Sequence, residues 1–140
     1  MNLSLSHKIE IRVRYSETDK MGFCYHGNYA AYFEMGRVET LRHAGIVYRA
    51  LEENGIMLPV VSLETQFKSP AKYDDLLLLE TKLVHASNCT LVFNYSLYGP
   101  TQELITTAKT TLVFVNANTN KATRIPEYIF NLLKNYEVEQ

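Results

Sequence analysis

Between Leu58 and Ala117 the chain alternates apolar and polar residues almost without pause, and only turn chemistry interrupts it. Val61, Leu63, Thr65 and Phe67 alternate with Ser62, Glu64, Gln66 and Lys68, and Leu77, Leu79, Thr81 and Leu83 with Leu78, Glu80, Lys82 and Val84. Leu91, Phe93, Tyr95 and Leu97 oppose Val92, Asn94 and Ser96, and a last long strand runs from Leu104 to Val115. A period of two sends successive side chains to opposite faces, so each run is a strand. The breaks are Ser69-Pro70 with Asp74-Asp75, then Ser87-Asn88, then Gly99-Pro100, all residue types that set turns. Consecutive long strands with such short breaks predict an antiparallel meander.

Upstream, Lys8 to Tyr15 alternates strictly, with Ile9, Ile11, Val13 and Tyr15 on one face, which predicts a half-buried strand. Ser16 to Gly27 has neither period and holds Gly22 and Gly27, the punctuation of a loop. Asn28 then stands as the N-cap of a helix running to about His43 and closed by Gly45. Tyr29, Phe33, Gly36, Thr40 and Ala44 share one stripe of it, flanked by Ala30, Met35, Val38 and Leu41, as in a helix largely enclosed by other structure. Gly36 costs about 1 kcal/mol of helix propensity relative to Ala, so something packs closely against the backbone there. A shorter helical turn covers Val47 to Asn54, and Pro126 opens a terminal helix carrying Ile129, Phe130, Leu132 and Leu133.

This order predicts an α+β fold: a five-stranded antiparallel β-sheet wrapped around one long α-helix, plus a short C-terminal helix. One helix covers only part of such a sheet, so the remaining apolar surface and the sheet edges invite a second copy. At 140 residues the chain fits one domain, 1–140, with a single core. Fourteen Lys and Arg against fifteen Asp and Glu leave no basic surplus that would point to nucleic acid. The start of the chain lacks the apolar core of a secretory signal. The longest apolar run, Leu76 to Leu79, is far short of the ~20 residues that cross a bilayer. The expectation is a cytoplasmic protein with no membrane insertion.

The chemistry is expected in the loop that joins the first strand to the helix. Phe23, Cys24, Tyr25, Tyr29, Tyr32 and Phe33 imply that this joint is buried. Polar groups left unpaired in such a place cost a few kcal/mol each. Asp19, upstream of the helix, can simply stabilise the helix dipole for about 0.3 to 1 kcal/mol. It also suits acyl transfer: free N–H groups in the first helical turn can hold charge on a carbonyl oxygen while a carboxylate attacks the carbon or activates water. His26 can orient water or the acyl carbonyl, or merely bond a loop carbonyl.

Competing chemistries fare worse. Cys24 with His26 would suit a thiolate mechanism, but residues two apart on a loop need not face each other and no third group orients them. His7, His26, His43 and His85 are scattered singly, without metal-ligand spacing, so no metal is expected. No phosphate-cradling glycine motif appears, and neither Ser62 nor Ser69 lies in a Gly-x-Ser-x-Gly elbow.

The string Tyr15-x3-Asp19-x2-Gly22-x2-Tyr25-His26-x-Asn28-Tyr29-x3-Phe33-Glu34-x2-Arg37 resembles the signature of the 4-hydroxybenzoyl-CoA thioesterase family, in its YbgC/FadM-like acyl-CoA thioesterase branch. Glu64-x2-Phe67-x2-Pro70-Ala71-x-Tyr73-Asp74-Asp75 is similar to the stretch leading out of that family's second strand. The resemblance implies a hotdog fold and acyl-CoA hydrolysis, with coenzyme A part of the substrate and no separate cofactor. It also implies a homodimer or homotetramer with active sites at the subunit interface.

By the same resemblance Asp19 is the catalytic carboxylate, accompanied by Tyr15 and His26, and the thioester carbonyl sits near the backbone N–H groups of Tyr25 and His26. Lys68, Lys72 and Arg37 are candidates for the phosphates of coenzyme A, or else solvated surface charges. Lys20 and Met21 stand where the family often has small residues, so substrate identity does not carry over. A thioesterase acting on acyl-carrier protein and a non-catalytic acyl-CoA-binding or scaffold protein are the alternatives on this fold.

Overall fold

The computed structural model describes residues 1–139. Strand β1 (Asn2–Arg12) leads through a loop to helix α1 (Tyr29–His43) and a shorter helix α2 (Tyr48–Glu53). A two-residue strand β2 (Ile56–Met57) is followed by the long strands β3 (Val60–Phe67), β4 (Leu76–Ser87), β5 (Thr90–Tyr98) and β6 (Leu104–Val113). Two more short strands, β7 (Val115–Asn116) and β8 (Lys121–Ala122), precede helix α3 (Glu127–Leu133). The five long strands form one antiparallel sheet, so the expected α+β architecture is borne out. No helix among the described residues is long and apolar enough to cross a membrane.

The strand order is β1-β4-β5-β6-β3, which corrects the simple meander. β4, β5 and β6 pair in sequence, but β3 pairs with β6 at the far edge instead of with β4. Three inter-strand steps of ~4.8 Å separate β3 from β4, and the connection through residues 68–75 is long enough to span them at ~3.3 Å per extended residue. As an edge strand beyond the helix, β3 exposes Val60, Val61, Leu63 and Phe67, although its alternation reads as that of a half-buried strand. β2, β7 and β8 make a small second sheet that was not expected, because two-residue strands leave no period to read.

β1 begins earlier than expected, since Leu3 and Leu5 continue the buried face of Ile11, and Asn2 and Leu5 pair with His85 and Leu83 of β4. It also ends earlier. Past Arg12 the chain turns into a single 3₁₀ turn, Tyr15–Glu17, and Tyr15 is 78% exposed against Tyr73 instead of on the core face. Helix α1 packs against β4 and β1, burying Tyr29, Tyr32, Phe33, Gly36, Thr40 and Leu41. The close approach expected at Gly36 is present: a Cβ there would lie 2.7 Å from a Leu79 methyl and would overlap the Thr81 hydroxyl. Gly45, with φ of +88°, ends α1 as expected, since that conformation suits a residue without Cβ.

Candidate active site

The turn at Asp19 is built by its own hydrogen bonds. Thr18 bridges to Cys24, Asp19 N–H donates to the Phe23 carbonyl at 2.8 Å, and Gly22 N–H donates to the Asp19 carbonyl at 3.0 Å. The loop is therefore a tiny hairpin with Gly22 at φ +84° in its bend. Asp19 Oδ1 accepts the N–H groups of Met21 at 2.9 Å and Phe23 at 3.2 Å. Both bonds fall on one oxygen, so Oδ2 remains outside the turn's own bonding. The hairpin is fastened to the connection after β3, where Cys24 N–H donates to the Ala71 carbonyl at 2.7 Å and Phe23 bridges to Lys72.

The helix start forms the other half. A 3₁₀ turn, His26–Asn28, runs directly into α1, so Asn28 holds the expected N-cap position but with helical backbone angles and no side-chain cap hydrogen bond. Its Nδ2 donates instead to the Glu17 carbonyl at 2.8 Å, and Tyr25 N–H donates to the same carbonyl at 2.8 Å. That bond takes the Tyr25 N–H out of the set available to a substrate oxygen. His26 and Gly27 occupy the first two positions of the turn, where no preceding turn supplies an acceptor.

Asp19, Met21, Phe23, Cys24, His26, Tyr29, Phe67, Lys68, Ser69 and Pro70 line one cleft of about 320 Å³. Of the residues expected from sequence, Asp19, His26 and Lys68 meet there. Tyr15 does not line it, and Lys72 stands beside it in the connection after β3, bridged to Phe23. Arg37 departs furthest from expectation. It is only 7% exposed on α1, close to the Tyr95 and Tyr48 hydroxyls, so it is neither a solvated surface charge nor a wall of this cleft. Phe23, Tyr29, Phe67 and Pro70 were missed as lining residues, although Phe67 and Pro70 stand in the second sequence motif. A larger groove of about 460 Å³ runs between β3 and β6, but its charged residues, Glu64 and Lys109, oppose each other across the ladder.

Electrostatics separates the polar groups of this region. Burial pushes the Cys24 thiol up, and its Sγ lies 3.6 Å from the Tyr32 hydroxyl, so it stays a protonated packing group. Burial opposes the charge of Glu17, but hydrogen bonds from the Arg14 side chain and backbone and from Tyr32 outweigh it and hold the carboxyl below its ordinary value.

Burial, with Cys24 beside it, pushes the Tyr29 hydroxyl up to about 12. Its folded pKa thus stands above the ordinary value of 10.0, so its contribution to stability is complete below pH 10.0 and is lost as pH rises towards about 12. Urea midpoints measured across that window are expected to fall, and to fall less steeply in Tyr29→Phe. Equal slopes in the two proteins would contradict this.

The sequence model of the thioesterase-like superfamily matches residues 13–133. The chain belongs to that superfamily. YneP of Bacillus subtilis is 33% identical to this thioesterase-like chain over 114 residues, covering 81% of it and 83% of YneP. The acyl-CoA thioester hydrolase YbgC of Escherichia coli is 29% identical over 119 residues, covering 85% of this chain and 89% of YbgC. A crystal structure of a DHNA-CoA thioesterase from Staphylococcus aureus superposes with a TM-score of 0.86 at 34% identity, covering 90% of this chain and 85% of that one. The resemblance read from the Tyr15 to Arg37 motif is borne out, and with it the hotdog fold.

Proposed function

We propose that this member of the thioesterase-like superfamily hydrolyses acyl-CoA thioesters. The observation that carries the reading is the shared cleft: Asp19, with one carboxylate oxygen left over from its turn, lies in the same cleft as the start of the helical turn at His26. The thioester carbonyl lies between them. The N–H groups of His26 and Gly27 hold its oxygen as negative charge develops, an interaction worth roughly 10²–10³ in rate when one such donor is lost. Asp19 either attacks the carbonyl carbon, expelling the CoA thiolate and leaving an acyl anhydride for water to cleave, or takes a proton from the water that attacks. The His26 ring, exposed beside Tyr25 and Phe67, orients water or the acyl group.

Lys68 at the cleft and Lys72 beside it suit the phosphates of coenzyme A. Phe67 both lines the cleft and ends the exposed edge β3, so a second copy pairing along β3 would bury Val61 and Leu63 and close the site as a homodimer or a higher assembly. The test is release of free thiol from straight-chain acyl-CoA and aryl-CoA thioesters, alongside the same acyl groups on acyl-carrier protein. Turnover of acyl-CoA substrates is expected. Preference for the carrier protein, or no turnover of any CoA thioester, would overturn the proposal.

A further inference from the structure

Glu17 is a half-buried carboxylate that none of the chemistry above uses, with a side chain only 12% exposed. Its two carboxylate oxygens take up three donors. Oε1 accepts the Arg14 N–H at 2.8 Å and the Tyr32 hydroxyl at 2.9 Å, and Oε2 accepts the Arg14 guanidinium at 3.0 Å. Its backbone carbonyl accepts two more, from Tyr25 N–H and Asn28 Nδ2, both at 2.8 Å. One residue therefore holds the segment just past the first strand, the exit of the Asp19 hairpin, the 3₁₀ turn before the helix and the first turn of α1.

We propose that Glu17 is the positioning residue of this site, fixing the Asp19 hairpin relative to the N–H groups of His26 and Gly27 without touching substrate. The hairpin's two ends meet at the bond from Tyr25 N–H to the Glu17 carbonyl. The side chain keeps that carbonyl in place, because the Arg14 and Tyr32 bonds stop residue 17 from rotating. A nucleophile and an oxyanion site carried on different segments depend on such a clamp, since a misplacement of ~1 Å can cost 10²-fold in rate. Charge-assisted bonds suit the task, being shorter and stronger than neutral ones. The kinetic part of this inference rests on the acyl-CoA hydrolase reading; the structural part does not.

The test uses the full chain with Glu17→Gln, Tyr32→Phe and the double variant. Amide hydrogen exchange should quicken in residues 18–28 of Glu17→Gln while the β4–β5 ladder keeps its protection. Unchanged exchange in that loop overturns the proposal whatever the substrate. With benzoyl-CoA and hexanoyl-CoA as probes, kcat should fall about 10²-fold in Glu17→Gln with KM nearly unchanged, the signature of a displaced site and not of weaker binding. Tyr32→Phe, which removes the bond to Glu17 and the weak one from the Cys24 thiol but keeps the ring, should lose less, and the double variant should be no worse than Glu17→Gln alone. Additive losses in the double variant, or a rise in KM with kcat intact, overturn it. Quicker exchange in residues 18–28 of Glu17→Gln, together with a wild-type chain that hydrolyses neither probe, would overturn the acyl-CoA reading while supporting the clamp.

Discussion

Replacing Asp19 with asparagine is expected to lower kcat for acyl-CoA hydrolysis by about 10³-fold, inside the range of roughly 10²–10⁴ for loss of a catalytic acid or base. The fold should survive, and the reason lies in the turn. Both backbone N–H groups that Asp19 receives, from Met21 and Phe23, fall on Oδ1, and an asparagine amide oxygen accepts the same two bonds. What the amide lacks is the basic, nucleophilic character of the second oxygen. Steady-state kinetics beside a thermal melt separate the two effects. Near wild-type turnover would remove Asp19 from the chemistry, and a large fall in melting temperature would reveal a structural role instead.

The largest expected loss of stability outside the cleft comes from Gly36. At this position α1 lies so close to β4 that an added Cβ would meet the Leu79 methyl at 2.7 Å and overlap the Thr81 hydroxyl. Both neighbours are fully buried, so neither can swing into solvent. Gly36→Val is expected to cost about 1–3 kcal/mol through overpacking, more than the gain of a better helix former can offset. Denaturant unfolding measures this directly: the midpoint should fall with the slope unchanged. A midpoint equal to or above that of the wild type would show that the helix can shift away from the sheet at little cost.

The parts of the fold that were legible are those set by local period. Leu77, Leu79 and Leu83 fall on the buried face of β4 as their alternation requires, and Tyr29, Phe33, Gly36, Thr40 and Ala44 are all buried along α1. Partner choice was not legible in the same way. Nothing between Val60 and Phe67 says that the strand pairs with β6 instead of β4, because pairing depends on where a connection lands and not on the strand's own pattern. Alternation also ran one step too far at Tyr15, where the backbone leaves the sheet once Arg14 N–H is taken by the Glu17 carboxylate.

The candidate site shows the same division. Asp19 and His26 stood out because loop carboxylates and imidazoles are conspicuous in an apolar setting, and both line the cleft. Asn28 satisfied the local rule for a helix cap, yet a carbonyl eleven residues away competes for its side chain. Glu17 passed unnoticed because its five donors come from four other residues, and only the folded chain assembles them. Arg37 read as a surface charge because its residue type is usually exposed, whereas the helix turns it toward the sheet.

Central to the proposed mechanism is the convergence of Asp19 and the helix start on one thioester carbonyl. The infrared carbonyl stretch of benzoyl-CoA bound to Asp19→Asn tests this without turnover. A carbonyl polarised by the N–H groups of His26 and Gly27 should absorb at lower frequency when bound than when free in solution. A band unshifted on binding would contradict the placement of the oxyanion site at that turn.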